Sequence, residues 1–369
     1  MKPSVVIIGS RGYPSYYGGF ETLVRHLAPY LADWGWDVAV YGRRRDLEEF
    51  AETDRRVEQI HTRGIESRSL STLTFGATAT ANAARRAPDV ALVLNVANGF
   101  WLPLLRSRSI PTVVNVDGIE WERDKWGALA KTTFRAGARM TATFADHLIC
   151  DAHEIDAYWQ NVMGRGGTYI PYGATAPERL PPPPELEGRP YVLMVARFVP
   201  ENTVGEFIAA VDELSAECDV VIVGSSGYGG PIEDSVRALR DRNPRVQWFG
   251  HISDDRRLFA LWQNAAVYFH GHSVGGTNPA LVQAMACGAP IVARDTVFNR
   301  EVLADAAVFC QPTPTAIAAE LSAVIHDHQT REFLGARAAE RARTSFTWDS
   351  VCSAYEAILA KAAGRDAAR

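Results

Sequence analysis

The residues whose types and spacing best suit ligand binding lie in HGHSVGGTNPALVQAMACG, residues 270–288. Small and polar residues come directly before an apolar helical pattern: Gly275, Gly276, Thr277 and Asn278. We expect Asn278 to cap a helix that has Pro279 in its first turn. Such a helix start presents backbone N–H groups and the positive end of the helix dipole, both of which favour an anion. The stretch contains no Asp or Glu that would compete with an anionic ligand, so it predicts a phosphate-binding loop.

A second glycine-rich stretch, GSRGYPSYYGGFE at residues 9–21, follows the apolar run VVIIG. Gly18 and Gly19 open a helical pattern there, so backbone N–H groups are again available to an anion. The glycine spacing matches neither a GxGxxG dinucleotide loop nor a Walker loop, and the alternative is a turn that requires positive φ. We predict that Arg11 reaches an anion and that Glu21 binds a sugar hydroxyl. The alternatives are a solvated loop charge for Arg11 and a carboxylate that favours the helix N-terminus for Glu21.

A carboxylate follows another apolar run in NVDGIEWERDKW, residues 115–126. Asp117 lies at the end of the predicted strand, where its side chain can orient an acceptor hydroxyl or take its proton. The alternative is an Asp that caps a helix, which is a common role. Glu120 and Trp121 follow closely and are candidates for the same acceptor site.

The segment from Trp121 to Met140 combines basic and aromatic residues in a helical pattern. Its basic residues are Arg123, Lys125, Lys131, Arg135 and Arg139. This composition is typical of a helix that contacts a membrane surface. The interspersed acids Glu122 and Asp124 favour the alternative, a solvated helix face.

Strand ends of the C-terminal half carry further candidates. Arg197 ends the run YVLMVAR, and its guanidinium would bind a diphosphate bidentately, with a surface Arg as the alternative. Gly224, in VGSSGYGG, offers backbone amides to a base or phosphate, and backbone groups around His251, in FGHIS, could read a nucleobase edge. The histidines His251, His270 and His272 form no metal set with nearby acids or thiols, so packing at strand ends is favoured over metal ligation.

These candidates share one position, because each follows an apolar run that is typical of a β-strand. In the N-terminal half the predicted strands are 5–9, 37–42, 89–95, 111–117 and 147–151. In the C-terminal half they are 191–197, 219–224, 246–250, 265–271 and 290–295. Helical patterns separate them, such as 18–35 with its apolar residues at steps of three and four. Apolar strands that alternate with helices indicate an α/β fold with parallel sheets covered on both faces.

The segment GATAPERLPPPPELEGRP divides the chain. Its run of prolines favours polyproline II, which cannot join a sheet ladder, whereas a long surface loop inside one domain is the alternative. We therefore predict two doubly wound, Rossmann-like domains that face a central cleft. The predicted parts are an N-terminal domain (1–173), a linker (174–190), a C-terminal domain (191–345) and a C-terminal helix that can cross back to the N-terminal domain (346–369). Ligands of open α/β sheets bind outside the carboxyl ends of the strands, where the candidates lie.

The bulk composition excludes several classes of protein. With 47% hydrophobic residues, 22% charged residues and a net charge of −5, the chain is globular and has no charge excess for nucleic acid. The scattered cysteines form no CxxC pair, which favours reduced thiols in a cytosolic protein. The most apolar window, 90–105, is too short to span a bilayer, and no signal peptide precedes VVIIG. We expect a cytoplasmic protein, either soluble or peripheral at the inner face of the plasma membrane.

The order of these motifs resembles a known family. The C-terminal motifs are VARFVPEN, VGSSGYGG, FGHIS and AMACGAPIVARD followed by NREVLADAAVF. Over nearly the whole chain the sequence resembles retaining glycosyltransferases of the GT-B fold, family 4. Within that family, SRGYPSYYGGFET, VDGIEW and HGHSVGGTNP resemble a bacterial subgroup that includes rhamnosyltransferases of cell-surface polysaccharide assembly. Those enzymes use dTDP-rhamnose, and several act on lipid-linked acceptors at the inner membrane face.

The sequence departs from the pattern of the broad family at three positions. The two acids of the family signature, which contact the donor sugar and the ribose, align with Gly275 and Gln283. The subgroup also carries glycine at the first, which fits a deoxysugar donor. Gln283 keeps its hydrogen bonds but lacks charge, so we expect a lower nucleotide affinity. Asn202 stands where the family usually has Lys beside the diphosphate, which leaves Arg197 and the glycine amides to hold that group.

The resemblance implies a retaining transfer that uses no metal and no cofactor. The acceptor hydroxyl attacks the face from which the diphosphate departs, a phosphate oxygen can take the proton, and no protein nucleophile is required. The implied donor-site residues are Gly18, Gly19, Arg197, Asn202, Gly224, His251, Gly275, Gly276, Thr277, Asn278, Gln283 and Glu301. The implied acceptor-site residues are Arg11, Glu21, Glu120 and Trp121, and the implied catalytic residues are Asp117 and Arg197. For Glu301 the alternative is a helix cap.

The expected substrates are a nucleotide-sugar, with dTDP-L-rhamnose as the first expectation, and a glycan or polyprenyl-linked acceptor. UDP- or GDP-sugars are the alternative donors, and a catalytically silent protein that binds sugar nucleotides is the alternative function. A nicotinamide-dependent dehydrogenase would need a GxGxxG loop after a strand, which the sequence lacks. A glycosidase would need two carboxylates, and residues 270–288 contain none.

Overall fold

A computed structural model describes residues 2–16, 18–43, 53–65, 71–123, 126–216, 218–227 and 229–365. The chain forms two compact units. Unit 1 comprises Met1–Glu122, Trp126–Tyr172 and Trp348–Arg369, and unit 2 comprises Arg123–Lys125 and Gly173–Thr347.

Within its described residues, unit 1 contains a seven-stranded sheet with the order β3-β2-β1-β4-β5-β6-β7. All of its strand pairs are parallel. The strands are β1 Ser4–Ile8, β2 Asp37–Arg43, β3 Val57–Thr62, β4 Val90–Leu94, β5 Thr112–Asn115, β6 His147–Cys150 and β7 Thr168–Tyr169. The central strand β4 is buried at every position, as a parallel sheet covered on both faces requires.

The helices that cover this sheet are α1 Gly19–Asp33, α2 Ser71–Arg86, α3 Leu102–Arg106, α4 Ala128–Phe144 and α5 His153–Tyr158. Shorter turns add 3₁₀ segments at Val96–Trp101 and Glu120–Glu122 and a π-helical turn at Trp159–Met163. The apolar residues that α1 buries are Leu23, Val24, Leu27, Ala28 and Leu31. Their steps of three and four place them on one face of the helix, which packs on the sheet.

A late segment of the chain, α13 Trp348–Ala362, also belongs to unit 1. The indole of Trp348 stacks on His26 of α1 with ring centroids 4.1 Å apart. The phenol oxygen of Tyr355 accepts a hydrogen bond of 2.6 Å from Asn115 Nδ2 at the end of β5. These contacts integrate α13 into the core of unit 1.

Unit 2 contains, within the described part of the chain, a six-stranded sheet with the order β10-β9-β8-β11-β12-β13, again parallel throughout. Its strands are β8 Tyr191–Val195, β9 Asp219–Val223, β10 Val246–Trp248, β11 Val267–His270, β12 Ile291–Arg294 and β13 Val308–Cys310. Its helices are α6 Val204–Leu214, α7 Pro231–Arg242, α8 Asp255–Asn264, α9 Pro279–Ala286, α10 Val297–Leu303, α11 Pro314–His326 and α12 His328–Ser345. The alternation of strands and helices predicted from the sequence is therefore confirmed in both units.

The proline-rich segment after Gly173 is part of unit 2, where it packs along α8. Arg179 Nη1 donates to the Gln263 carbonyl at 2.7 Å, and the Leu180 amide donates to Gln263 Oε1 at 2.8 Å. Leu186 is buried. Polyproline backbone cannot pair with a strand, so side chains of α8 satisfy its polar groups instead. The segment thus forms a strap that packs on unit 2, and its predicted role as a linker between domains stays a prediction.

The strands that the sequence analysis did not predict lie at sheet edges. β3 has an irregular burial pattern, and β7 and β13 have only two and three residues. An edge strand is covered on fewer sides than a central one, so its sequence lacks a long apolar run.

Candidate functional site

The loop before α9, at the carboxyl edge of unit 2, has the predicted helix start. Asn278 Oδ1 accepts the backbone N–H groups of Ala280 and Leu281 at 2.9 and 3.3 Å, and Pro279 is the first helical residue. The predicted N-cap is confirmed, and it commits Asn278 Oδ1 to the helix. Gly276 and the buried Thr277 complete the loop in front of this cap.

Gly275 gives this loop its backbone geometry. Its φ of +113° lies in a region that L side chains rarely adopt. A glutamate at this position would therefore be strained. The backbone conformation at position 275 therefore favours glycine and disfavours a residue with a carboxylate.

Gln283, one turn into α9, has a partner that the sequence did not predict. Its Nε2 donates to the Thr175 carbonyl at 2.7 Å, and its Oε1 accepts the Thr175 N–H at 3.1 Å. Its second N–H contacts Cys287 Sγ at 3.6 Å, so the ribose contact predicted for Gln283 must use the remaining lone pair of Oε1.

The loop after β8 carries Arg197 and Asn202. The Arg197 side chain is exposed at the carboxyl edge of the sheet, whereas Asn202 is buried and donates from Nδ2 to the Arg197 carbonyl at 2.8 Å. Asn202 thus shapes the turn that presents Arg197. This local role differs from the predicted contact with the donor, because the Asn202 amide points to the main chain.

The turn after β9 is built on close backbone contact. Gly224 has a φ of +129°, its N–H donates to the Gly250 carbonyl at 2.6 Å, and a Cβ there would collide with the Ala196 carbonyl oxygen. Only glycine fits this position, so the backbone geometry explains the glycine at 224 without any ligand. His251 follows Gly250 and is exposed at the same edge.

The histidines after β11 are packed, as the sequence analysis favoured. His270 is fully buried, its Nδ1 shares a 3.0 Å hydrogen bond with the Tyr268 hydroxyl, and its ring stacks on His272 at 4.5 Å. Burial lowers the pKa of His270 to about 3. Burial also lowers the pKa of His272 well below its ordinary value, and His270 and the Arg197 guanidinium lower it further. Both imidazoles are therefore neutral near pH 7.

Thr203 is a residue of this edge that the sequence analysis missed. It is buried with a φ of +58°, and its Oγ1 donates to the Gly271 carbonyl at 2.5 Å and accepts from Arg294 Nη1 at 3.0 Å. It joins the loops after β8, β11 and β12. A polar residue after a strand end is the only sequence signal for it.

Glu301 lies within α10, whose N-cap is Thr296. The capping role that the sequence left open for Glu301 is therefore wrong. Its carbonyl accepts from Arg341 Nη2 at 2.8 Å, which ties α10 to α12.

In unit 1, Gly18 and Gly19 mark the start of α1, as predicted. The carboxylate of Glu21 is buried in the first helical turn and accepts the Arg11 N–H at 2.9 Å. Burial raises the pKa of Glu21 above its ordinary value. Glu21 thus fixes the glycine-rich loop, and its place in the first turn of α1 agrees with the predicted alternative of a carboxylate that favours the helix N-terminus.

Asp117 is held at the end of β5 in an unusual backbone conformation. Its φ is +61°, its N–H donates to Asn115 Oδ1 at 2.9 Å, and its Oδ2 accepts from Asn95 Nδ2 at 3.2 Å. The next 3₁₀ turn begins only at Glu120, so Asp117 does not lie directly before a helix. Asn95 follows β4, and the sequence analysis did not connect it with Asp117.

Glu120 and Trp121 are both buried, and their predicted contact with an acceptor stays a prediction. Trp121 is only 2% exposed, and its indole N–H donates to the Tyr158 hydroxyl at 3.0 Å. Glu120 Oε2 accepts from Trp126 Nε1 at 3.0 Å. The apolar surface of Trp121 and its single N–H are satisfied by packing inside unit 1.

Tyr172 is a further residue that the sequence analysis missed at this edge. Burial raises its pKa well above the ordinary value, and the nearby charges of Asp117, Asp151 and Glu21 and the Tyr355 phenol raise it further. The phenol therefore stays protonated, and the carboxylates of Asp117, Asp151 and Glu21 all lie within electrostatic range of it.

The basic residues predicted for a membrane surface lie mainly on α4. Arg135 and Arg139 are exposed, Leu129 is 83% exposed, and residues 126–144 contain no acid. Lys125 lies outside the described residues. None of the helices in the described ranges combines the length and apolar character that crossing a bilayer requires.

Among the residues that the structure describes, no three His, Cys, Asp or Glu side chains form a cluster that could hold a metal ion. The described cysteines, Cys150, Cys218, Cys287, Cys310 and Cys352, are all buried free thiols.

The two units match two sequence families. The family described as "Glycosyl transferase 4-like domain" matches residues 18–173, and "Glycosyl transferases group 1" matches residues 178–341. The chain therefore combines two glycosyltransferase domains, and its class is glycosyltransferase.

Two curated relatives are similar over part of their length. The O-antigen chain mannosyltransferase B of Escherichia coli is 26% identical over 45% of this chain and 44% of its own. The phosphatidyl-myo-inositol mannosyltransferase of Mycolicibacterium smegmatis is 31% identical over 52% of each chain. The matched regions thus span about half the length of these relatives.

Solved structures show the same architecture over nearly the whole chain. The sucrose-phosphate synthase of Thermosynechococcus elongatus has a TM-score of 0.80 at 18% identity, covering 98% of this chain and 99% of its own. HepE of Anabaena, solved with UDP-glucose, has a TM-score of 0.72 at 16% identity, covering 98% and 100%. Together with the two parallel sheets, these likenesses establish the GT-B fold.

Proposed function

We propose that the protein transfers a hexosyl or deoxyhexosyl group from a nucleotide-sugar to a glycan or lipid-linked acceptor, with retention of the anomeric configuration. The observation that carries the proposal is the acid-free loop at the N-terminus of α9, within the unit that matches the group 1 glycosyltransferases. A glycine-rich helix start without carboxylates suits a diphosphate.

In this proposal unit 2 binds the donor. The Arg197 guanidinium and the backbone amides of Gly276 and Thr277 neutralise the diphosphate, and the charge that develops on it during the reaction is stabilised by the same donors. The ring of His272 is neutral, so we propose that Arg197 supplies positive charge to the phosphates. Gln283 offers its remaining hydrogen-bonding capacity to the ribose.

The proposed chemistry needs no nucleophile from the protein. The bond from the acceptor oxygen to the anomeric carbon forms as the bond from that carbon to the diphosphate oxygen breaks. The acceptor proton passes to a phosphate oxygen of the leaving group. Asp117, at the carboxyl edge of unit 1, orients the acceptor hydroxyl or takes part in this proton transfer. No metal ion enters the proposal.

For the donor we propose dTDP-L-rhamnose as the first candidate, because a glycine at position 275 removes the carboxylate that would select a fully hydroxylated sugar. A mannosyl donor is the second candidate, since the curated relatives are named mannosyltransferases. HepE was solved with UDP-glucose, which makes UDP-sugars the third.

For the location we propose a cytoplasmic protein whose α4 touches an anionic membrane surface. Arg135, Arg139 and the highly exposed Leu129 supply the charge and the apolar contact such binding requires. Cosedimentation with vesicles of anionic phospholipid, compared with vesicles of phosphatidylcholine, tests this part. Equal binding of an Arg135→Ala/Arg139→Ala variant would contradict it.

The function is tested by incubating the purified protein with dTDP-L-rhamnose, GDP-mannose or UDP-glucose and a polyprenyl-linked glycan. Released nucleotide reports turnover, and NMR of the product reports the anomeric configuration. An inverted product would refute the retaining mechanism. Absence of turnover with every donor, despite nucleotide binding in a thermal-shift assay, would favour the catalytically silent alternative.

A further inference from the structure

The end of β4 contributes an asparagine to the acceptor side of the proposed reaction. We infer that Asn95 is a positioning residue, whose amide fixes the carboxylate of Asp117 for the acceptor hydroxyl. This inference rests on the proposed function and adds a residue that it does not contain.

The amide of Asn95 has a defined orientation. Its Oδ1 accepts the N–H of Ala97 at 2.9 Å, which caps the 3₁₀ turn that begins at Val96. Its NH₂ group therefore faces Asp117, and Nδ2 donates to Asp117 Oδ2 at 3.2 Å. The Oδ1 atom of Asn95 thus fixes the local backbone, and its Nδ2 atom fixes a carboxylate that follows another strand.

Both residues adopt backbone conformations that side chains rarely occupy. Asn95 has a φ of +72° and Asp117 a φ of +61°. Each such conformation costs of the order of 1–3 kcal/mol unless the surrounding structure supports it. Here the support is mutual, because Asn115 Oδ1 also binds the Asp117 N–H, and Asn115 Nδ2 is anchored on Tyr355. Such strain, supported from several sides, is typical of functional sites.

A neutral donor is the required partner at this place. The carboxylates of Asp117 and Asp151, which follow strands, and of Glu21, in the first turn of α1, all act on the buried Tyr172, as does the Tyr355 phenol. A second carboxylate beside Asp117 would add repulsion to an edge that already holds negative charge, whereas an asparagine adds a hydrogen bond without charge. Because the pKa values of Tyr172 and Tyr355 are raised, both phenols stay protonated and add no charge to this edge.

The decisive variant is Asn95→Asp. It keeps an oxygen for the Ala97 N–H and tolerates the positive φ, but it replaces the donor to Asp117 by a second carboxylate. We expect turnover at pH 7 to fall about tenfold or more, since the hydrogen bond involves an ionised group. The acidic limb of the pH–rate profile is expected to move up by about one unit, because two close carboxylates resist joint ionisation. The control is Asn161→Asp, which makes the same charge change at an exposed position. It should leave the turnover at pH 7 and the pH–rate profile unchanged.

Asn95→Gly provides a second route, since glycine accepts the backbone conformation but removes the amide. In a double-mutant cycle, either Asn95 variant should lower turnover little further in an Asp117→Asn background. Unchanged turnover of Asn95→Gly, full additivity in the cycle or an unmoved pH profile of Asn95→Asp would overturn the inference.

A measurement without turnover separates this inference from the proposed function. The midpoint of thermal unfolding of Asn95→Asp should lie further below that of the wild type at pH 8 than at pH 4.5, because repulsion in the pair grows as both carboxylates ionise. An equal difference at both pH values would refute the contact itself. If the wild type transfers no sugar while the unfolding result holds, the proposed function fails and the geometry of the pair stands.

Discussion

The side-chain amide of Gln283 pairs with both backbone groups of Thr175, with bonds of 2.7 and 3.1 Å. The pairing joins α9, the helix of the proposed phosphate loop, to the strap that runs along unit 2. A carboxylate could accept the Thr175 N–H but could not donate to its carbonyl. The neutral amide at this position thus has a structural cause in addition to any effect on the nucleotide.

We therefore predict that Gln283→Glu destabilises the protein by about 1–3 kcal/mol, because the Thr175 carbonyl loses its donor and faces a carboxylate oxygen. Urea unfolding of the purified variant measures this change. Gln329→Glu, an exposed residue in the first turn of α12, is the matched control and should change stability by less than about 0.5 kcal/mol. A Gln283→Glu variant as stable as the wild type would show that the pairing contributes nothing.

Gly275→Ala should weaken nucleotide binding and destabilise the fold by about 1–2 kcal/mol, since its φ of +113° strains any residue with a Cβ. Calorimetric titration with dTDP and urea unfolding measure the two effects. Gly205→Ala is the matched control, because Gly205 lies in α6 and a Cβ there meets open space. That control should be neutral or stabilising. The prediction fails if both variants behave alike.

Arg197→Ala should raise the Kd for a nucleoside diphosphate about tenfold, because a charge-assisted bond to phosphate is lost. The exposed Arg256→Ala on α8 removes the same charge from unit 2 and serves as the control. Equal affinity of both variants would place the diphosphate elsewhere.

Asp117→Asn should lower turnover about 100-fold or more if the carboxylate assists proton transfer. The affinity for the donor nucleotide should stay unchanged, because Asp117 belongs to unit 1. Rates with a saturating donor measure the first effect and calorimetry the second. Asp241→Asn, an exposed residue of α7, is the control. Full turnover of Asp117→Asn would remove Asp117 from the mechanism.

The buried His270 predicts a loss of stability in mild acid. The pKa of His270 is lowered to about 3 in the fold, and the pKa of an unfolded histidine is about 6.5, so between these values the unfolded chain binds the extra proton. The free energy of unfolding should fall by up to about 1.4 kcal/mol per pH unit over that window for this residue. In His270→Gln the decline between pH 6.5 and 4.5 should be smaller. The stability of the variant with the exposed His328→Gln should fall with pH as that of the wild type does. If the stability of His270→Gln also falls like that of the wild type, His270 is not the cause.

Local chemistry was readable from the sequence wherever neighbouring residues determine it. Asn278 and Pro279 define a helix start through contacts within three residues. The central strands are predicted by their continuous apolar runs. Trp121 could not be assigned in this way, because its burial depends on Tyr158, which lies on another helix. The Asn95–Asp117 contact spans 22 positions and exists only because β4 and β5 are adjacent in the sheet. The edge strand β3 lacks the apolar run that would reveal it, because polar residues interrupt VEQIHT.

The discontinuity of unit 1 has a consequence for how the protein is made. Its core includes α13, which is translated after all of unit 2, so the stacking of Trp348 on His26 and the Asn115–Tyr355 bond must wait for that helix. During synthesis unit 2 can complete its own core first, while the earlier-translated unit 1 stays open at the surface that α13 covers. A stop codon before Trp348 would therefore damage the unit that holds Asp117, although the deleted residues follow unit 2 in sequence.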